Sequence, residues 1–171
     1  MITRVATTAN IPALVAHINN GYRGENSRSG WTTEADLLDG TRVDDAELAA
    51  IIDDPKADLH IFGETEDDIL ASVYLKKEPD HLYLGMLTVR PTLQGSGLGK
   101  IVLAYAESFA QEEGFHQVKM TVIQARTELI AWYNRQGYLP TGIGFPWDDA
   151  IHIGVRKQDI YFIELGKILA P

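Results

Sequence analysis

The chain has 171 residues, of which 45% are hydrophobic and 23% charged, with a formal net charge of −9 and no cysteine. That length fits one domain spanning 1–171 with a real core. The missing cysteine excludes disulfides, thiolate metal sites and a cysteine nucleophile, and no other metal site is expected. The acidic excess argues against nucleic acids and anionic membranes as partners, since both need a basic surface. It is compatible with an amine partner and equally with plain solubility. The start, Met1 to Val5, lacks the apolar segment of a signal peptide, and no stretch is long and apolar enough to cross a bilayer. A cytoplasmic, soluble protein is the expectation.

Ile2 to Val5 reads as a short first strand. Ile11, Leu14, Val15 and Ile18 recur at helical spacing, predicting a helix over Ile11 to Asn20 that Gly21 stops. Gly21 to Gly30 is polar and turn-rich. Thr33 can cap a short helix ending at Gly40, and Asp44 with Glu47 resembles a capping box opening a helix that ends before Pro55. The period then changes. Leu59 to Gly63 and Ile69 to Leu75 form a predicted hairpin around the acidic turn Glu64 to Asp68. Leu82 to Val89 is a strand, Ile101 to Glu113 an amphipathic helix, Val118 to Ile123 a strand, Arg126 to Gln136 a helix, and Ile160 to Leu165 a last strand. A helical first third, an antiparallel meander and an alternating end describe an α+β domain with a mixed sheet.

The most specific local signal is Gln94-Gly95-Ser96-Gly97-Leu98-Gly99-Lys100, set between a strand and a helix. Such a turn aims backbone N–H groups and the positive end of a helix at one point, and its glycines clear space for a phosphate. A P-loop would need its first glycine at Gln94 and a hydroxyl at Ile101. A dinucleotide fingerprint would need glycine at Lys100. Both registers fail.

Gln94, Gly97 and Gly99 do fit Q/R-x-x-G-x-G/A. Leu87-Thr88-Val89-Arg90-Pro91 resembles the L-x-V-x-P of a preceding strand, and Tyr133 with Gly137-Tyr138 resembles Y-x-x-x-G-[FY]. On these motifs the chain resembles the GNAT superfamily of N-acetyltransferases over roughly residues 58 to 165. The resemblance implies a central mixed, mostly antiparallel sheet flanked by helices and splayed at the acetyl-CoA site. It implies that the backbone of Gly95, Ser96, Gly97, Leu98, Gly99 and Lys100 holds the pyrophosphate of acetyl-CoA, with Lys100 or Arg90 as sources of charge. It places a bulge at Gly85-Met86-Leu87, with Leu87, Thr88 and Val89 offering main-chain contacts to the cofactor.

The same resemblance makes Tyr133 the acid that protonates the leaving thiolate; the alternative is a packing role, since Leu129, Ile130 and Tyr133 share a helix face. Arg126 stands where the family often has an asparagine contacting pantetheine. It could contact the cofactor or cap the strand end. The glutamate base of some members is replaced by Tyr83, with His81 nearby, so an already neutral amine or proton loss through water stays open. The acceptor is expected between two loops rich in aromatics and carboxylates, one running from Gly21 to Glu34 and one from Gly142 to Asp149. Tyr22, Trp31 and Glu34 are candidate acceptor-site residues. The implied activity is direct acetyl transfer to a primary amine of a small molecule in a ternary complex. A protein or peptide acetyltransferase and a non-catalytic acyl-CoA-binding module are the rivals. The resemblance also allows a homodimer.

Overall fold

A computed structural model describes all residues from Met1 to Pro171. The strands are β1 (Ile2–Val5), β2 (Leu38–Asp39), β3 (Ala57–Gly63), β4 (Ala71–Lys77), β5 (Leu82–Val89), β6 (Gln117–Ile123), β7 (Leu139–Pro146), β8 (Val155–Arg156) and β9 (Tyr161–Ile168). The helices are α1 (Ile11–Tyr22), α2 (Asp45–Asp53), α3 (Leu98–Glu112) and α4 (Thr127–Arg135). No helix is long and apolar enough to cross a membrane.

A seven-stranded sheet runs in the order β1-β3-β4-β5-β6-β9-β7, and β2 pairs separately with β8. Every neighbouring pair is antiparallel except β5 and β6. That parallel pair is brief. It holds only Leu82 to Val118 and Tyr83 to Lys119, although both strands continue for several residues. Beyond Tyr83 they separate, and the sheet opens into a cleft.

The sheet is packed on both faces, as a mixed sheet requires. On one face Val102, Leu103, Ala106 and Ala110 of α3 meet Val73, Leu75, Leu84 and Met120, with Tyr133 and Tyr138 closing the layer. On the other, Leu14 and Ile18 of α1 and Leu48 of α2 cover Leu59, Ile61 and Met86. A small third cluster joins Leu38, Ile123, Trp147 and Ile160, which anchors the β2–β8 ribbon beside the cleft.

Several expectations are corrected. Gly21 does not stop α1; it lies in the last turn, and Arg23 ends the helix in an extended conformation. Its role is close approach, because a Cβ there would meet Thr88 Cγ2 at 2.3 Å. Thr33 starts no helix. Its hydroxyl accepts from Ala35 N–H, one turn follows, and Leu38 then pairs with Arg156. Asp44 caps α2 by accepting from Glu47 N–H, but the Glu47 carboxylate goes to Arg42 instead of returning to the cap. Gly142 to Pro146 is part of β7, not a loop; the connecting segment before β9 is Trp147 to Ile160. Prolines and glycines gave β7 the look of a turn. They are tolerated because β7 is an edge strand with few ladder bonds to lose.

Candidate functional site

The glycine turn follows β5 through a 3₁₀ turn at Pro91–Leu93 and opens α3. Gly95 and Gly97 take φ of 84° and 91°, the left-handed region that other residues enter only with strain. The N–H groups of Gly95, Gly97, Leu98 and Gly99 have no partner within the chain, while Ser96 donates to Leu93 O and Lys100 to Gly97 O. Four unclaimed donors at a helix N-terminus form an anion cradle. They lie beside a cavity of about 210 Å³. Leu87, Thr88, Val89, Gln94, Gly95, Gly97, Gly99 and Lys100 line that cavity together with Arg126, Trp132 and Tyr133. Leu98 turns its side chain into the core, so only its backbone can serve here. Ser96 does not line the cavity. Gln94 packs its amide under Gly30 and leaves its Oε1 buried and unpartnered.

The bulge is where the sequence placed it. Ser72 and Tyr74 of β4 face Thr88 and Gly85 of β5, so β5 carries an extra residue. Met86 absorbs it with φ of 46°, an uncommon value for a side-chain-bearing residue. The bulge turns Leu87 toward the split in the sheet.

A second cavity, of about 370 Å³, fills that split. Tyr83 to Leu87 from β5 and Met120 to Ile123 from β6 form its floor. Phe145, Trp147 and Phe162 wall one side, stacked with His152 at ring centroids 4.7 to 6.4 Å apart. Arg23, Glu34, Arg42, Glu47 and Arg126 supply the charged wall. The two cavities share Tyr22, Leu87, Arg126, Leu129 and Tyr133.

Tyr133 is buried at this junction. The hydroxyls of Tyr22, Tyr83, Tyr105 and Tyr138 are all hydrogen-bonded, but that of Tyr133 has no partner within the chain. Burial raises its pKa far above the ordinary phenol value, and the neighbouring Tyr22 adds to the effect. It therefore keeps its proton throughout the neutral range.

The Arg126 backbone N–H donates to Ile123 O at the end of β6, while its side chain points elsewhere. Arg126 occupies the N-cap of α4 and reaches across to Thr32 Oγ1 at 2.7 Å and toward Glu34 at 3.8 Å. Glu34 is buried between Arg126 and Arg23, whose Nε lies 3.5 Å from it. Tyr22 lines both cavities, whereas Trp31 lines only the glycine-turn cavity, 6.2 Å from Trp132. So Tyr22 and Glu34 reach the aromatic cavity, and Trp31 does not. Arg90 is held by Asp68 and Ile69 O and is not at the glycine turn. His81 pairs with Asp80 outside both cavities, and Tyr83 bonds Thr121. The carboxylates of Asp148 and Asp149 do not line the aromatic cavity.

Sequence reasoning missed Arg23, Arg42, Glu47 and Trp132. Helix periodicity could have put Trp132 beside the turn, since Gly99 allows its ring to within 3.3 Å of a Cβ position. Nothing local marks the arginines, because their partners are distant in the chain.

The sequence matches the family described as the acetyltransferase (GNAT) family over residues 26–138. A search of curated proteins finds no significant match. Similar solved structures include a ribosomal-protein-alanine N-acetyltransferase from Brucella melitensis, with 19% identity, 99% of this chain and 100% of that chain covered, and a TM-score of 0.69. Another is smu.2055 from Streptococcus mutans UA159, with 11% identity, 99% and 100% coverage and a TM-score of 0.72. A third is yncA from Salmonella typhimurium, solved with its cofactor acetyl-CoA, with 16% identity, 100% and 95% coverage and a TM-score of 0.68. At these identities the likeness is one of fold.

Proposed function

The chain belongs to the acetyltransferase (GNAT) family, and on that premise we propose that it acetylates a primary amine of a small molecule by direct transfer in a ternary complex. Residues 1–171 would act as one domain, because the sheet collects strands from Ile2–Val5 through Tyr161–Ile168. Acetyl-CoA is the acetyl donor. It supplies a thioester whose C–S bond breaks as the amide C–N bond forms, while the amine gives up a proton and the thiolate takes one.

The observation that carries the reading is the junction. One cavity has a built anion cradle, the other has an aromatic interior, and they meet at Tyr133 and Leu87. The unclaimed N–H groups of Gly95, Gly97, Leu98 and Gly99 suit a pyrophosphate. Lys100 adds a positive charge at the rim. The bulge at Met86 interrupts the β4–β5 ladder beside Leu87, where an extended chain such as pantetheine would lie. Tyr133, protonated and unpartnered, is the group that delivers a proton at the junction.

The small-molecule reading rests on enclosure. The aromatic cavity is roofed by Ile151, His152 and Ile153, and the β2–β8 ribbon ties that roof to the segment after α1. A cavity of about 370 Å³ lies in the range of small-ligand sites. A CoA-release assay across a panel of primary amines tests the reading. Turnover of free amines in preference to peptides is the expected result. Acetyl-CoA binding without release of CoA for any amine would leave a binding module instead.

A further inference from the structure

The charged wall of the aromatic cavity is unbalanced. Arg23, Arg42 and Arg126 contribute three guanidinium groups, and Glu34 and Glu47 two carboxylates. This positive excess stands inside a chain whose net charge is −9. Both carboxylates lie close to guanidinium groups. Glu34 sits between Arg23 at 3.5 Å and Arg126 at 3.8 Å, and Glu47 lies 3.8 Å from Arg42. Glu34 Oε1 and Glu47 Oε2 are buried without a hydrogen-bond partner, but the guanidinium groups around them still outnumber the carboxylates. Burial moreover raises the Glu47 pKa, which works toward fewer negative charges there, not more.

The guanidinium side of the wall is not satisfied. Arg126 is 6% exposed, and its Nε has no hydrogen-bond partner. Its Nη2 is held by Thr32, which fixes the plane of the group at the point where the two cavities meet. A buried charged donor without an acceptor is costly, and an anionic ligand group is the natural relief. Most of the remaining lining is apolar or aromatic, with Met120, Val122, Phe145, Trp147 and Phe162 among it.

We propose that the acceptor is an amine that also carries a carboxylate, an amino-acid-like molecule with an apolar or aromatic body, and that Arg126 is the residue that binds the carboxylate. This rests on the reading of the chain as a small-molecule acetyltransferase and narrows its substrate class. The carboxylate neutralises the positive excess, and the apolar body lies along the aromatic wall. The same excess disfavours an ammonium ion in the cavity, so the amine is held toward its neutral, nucleophilic form with no dedicated basic side chain.

The test compares leucine and phenylalanine with isoamylamine and phenethylamine, the same bodies without the carboxylate, in CoA-release assays of the full chain. The expected result is a kcat/KM at least about 10-fold higher for the amino acids, the effect of one charge-assisted bond. In Arg126→Met that ratio falls to near unity through the KM of the amino acid, while the KM for acetyl-CoA changes little. Arg126→Lys restores part of the ratio. Equal turnover of both sets, or an Arg126→Met effect confined to the KM for acetyl-CoA, overturns the proposal and leaves the acetyltransferase reading standing. Acetyl-CoA binding with turnover of neither set overturns both. If Arg126→Met fails to fold, the wild-type ratio alone decides.

Discussion

Tyr22 donates its hydroxyl hydrogen to the carbonyl oxygen of Leu87 at 3.2 Å. This bond ties the end of α1 to the residue that follows the bulge, across the mouth of the split sheet. Arg42 and Arg126 flank the same ring at 5.6 and 5.7 Å. Tyr22→Phe keeps the ring and removes the bond. Stability is expected to fall by about 1 kcal/mol. The kcat should fall by about 10-fold as Leu87 loses its fixed position, with little change in the KM for acetyl-CoA. Unchanged kcat in this variant would mean that Leu87 needs no such tether.

Tyr133→Phe should bind acetyl-CoA as the parent does, because the ring and its packing against Trp132 and Tyr138 remain. Turnover should fall by about 100- to 10,000-fold, the usual contribution of a positioned acid. Since burial holds the Tyr133 proton well above neutral pH, no loss of activity from its ionisation is expected below about pH 10. Steady-state rates across pH with a direct binding titration of acetyl-CoA check both points. Retained turnover would return Tyr133 to a packing role.

Gly97→Ala places a Cβ where φ is 91° and should cost about 1–2 kcal/mol locally, or else move the turn. Either outcome misaligns the free N–H groups, so the KM for acetyl-CoA rises while that for the amine does not. Trp31→Ala should act on the same constant, since Trp31 lines the glycine-turn cavity and not the aromatic one. An increase in the amine KM alone for Trp31→Ala would reverse that assignment.

Gly21→Ala is a stability prediction. The added Cβ would approach Thr88 Cγ2 to 2.3 Å, and Thr88 is buried and held by its own bond to Met86 O. Neither partner can yield cheaply, so a loss of about 1–3 kcal/mol is expected in urea unfolding. A neutral result would show that α1 can slide along β5.

The acid limb of stability should report His17. Burial pulls its pKa from 6.5 down to about 4, against a smaller opposing effect from the Thr88 backbone. Its Nε2 is shielded and unpartnered. The folded state keeps this ring neutral while the unfolded chain takes up a proton, so its contribution is full above pH 6.5 and is lost as pH falls toward 4. Burial lowers His60 in the same direction. Between pH 7 and pH 4 the loss assigned to His17 is about 2 kcal/mol, reduced from the full shift because the residue is only partly buried. His17→Gln should show a shallower acid limb in urea midpoints; an identical limb would remove His17 from the account.

What the sequence by itself determined is local. Alternation marked β3 to β6, helical spacing marked α1, α3 and α4, and the glycines of the turn marked a place with room for a phosphate. The spacing of Gln94, Gly97 and Gly99, with Tyr133 and Gly137, pointed to the family. Gly85 flagged the bulge, because a glycine inside a strand marks a place where pairing is interrupted.

The tertiary structure alone decided the rest. It separated β5 from β6 after two paired positions, made β7 an edge strand despite its prolines, and moved Trp31 to the glycine-turn cavity. It also changed the meaning of Glu34. Read along the chain, Glu34 is a carboxylate ready for an ammonium group; in the fold, Arg23 and Arg126 enclose it. Periodicity and backbone conformation act over a few residues and leave a trace in a short window. The charge balance of a cavity is a sum over residues as far apart as Arg23 and Arg126, and only folding brings its members within range of one another.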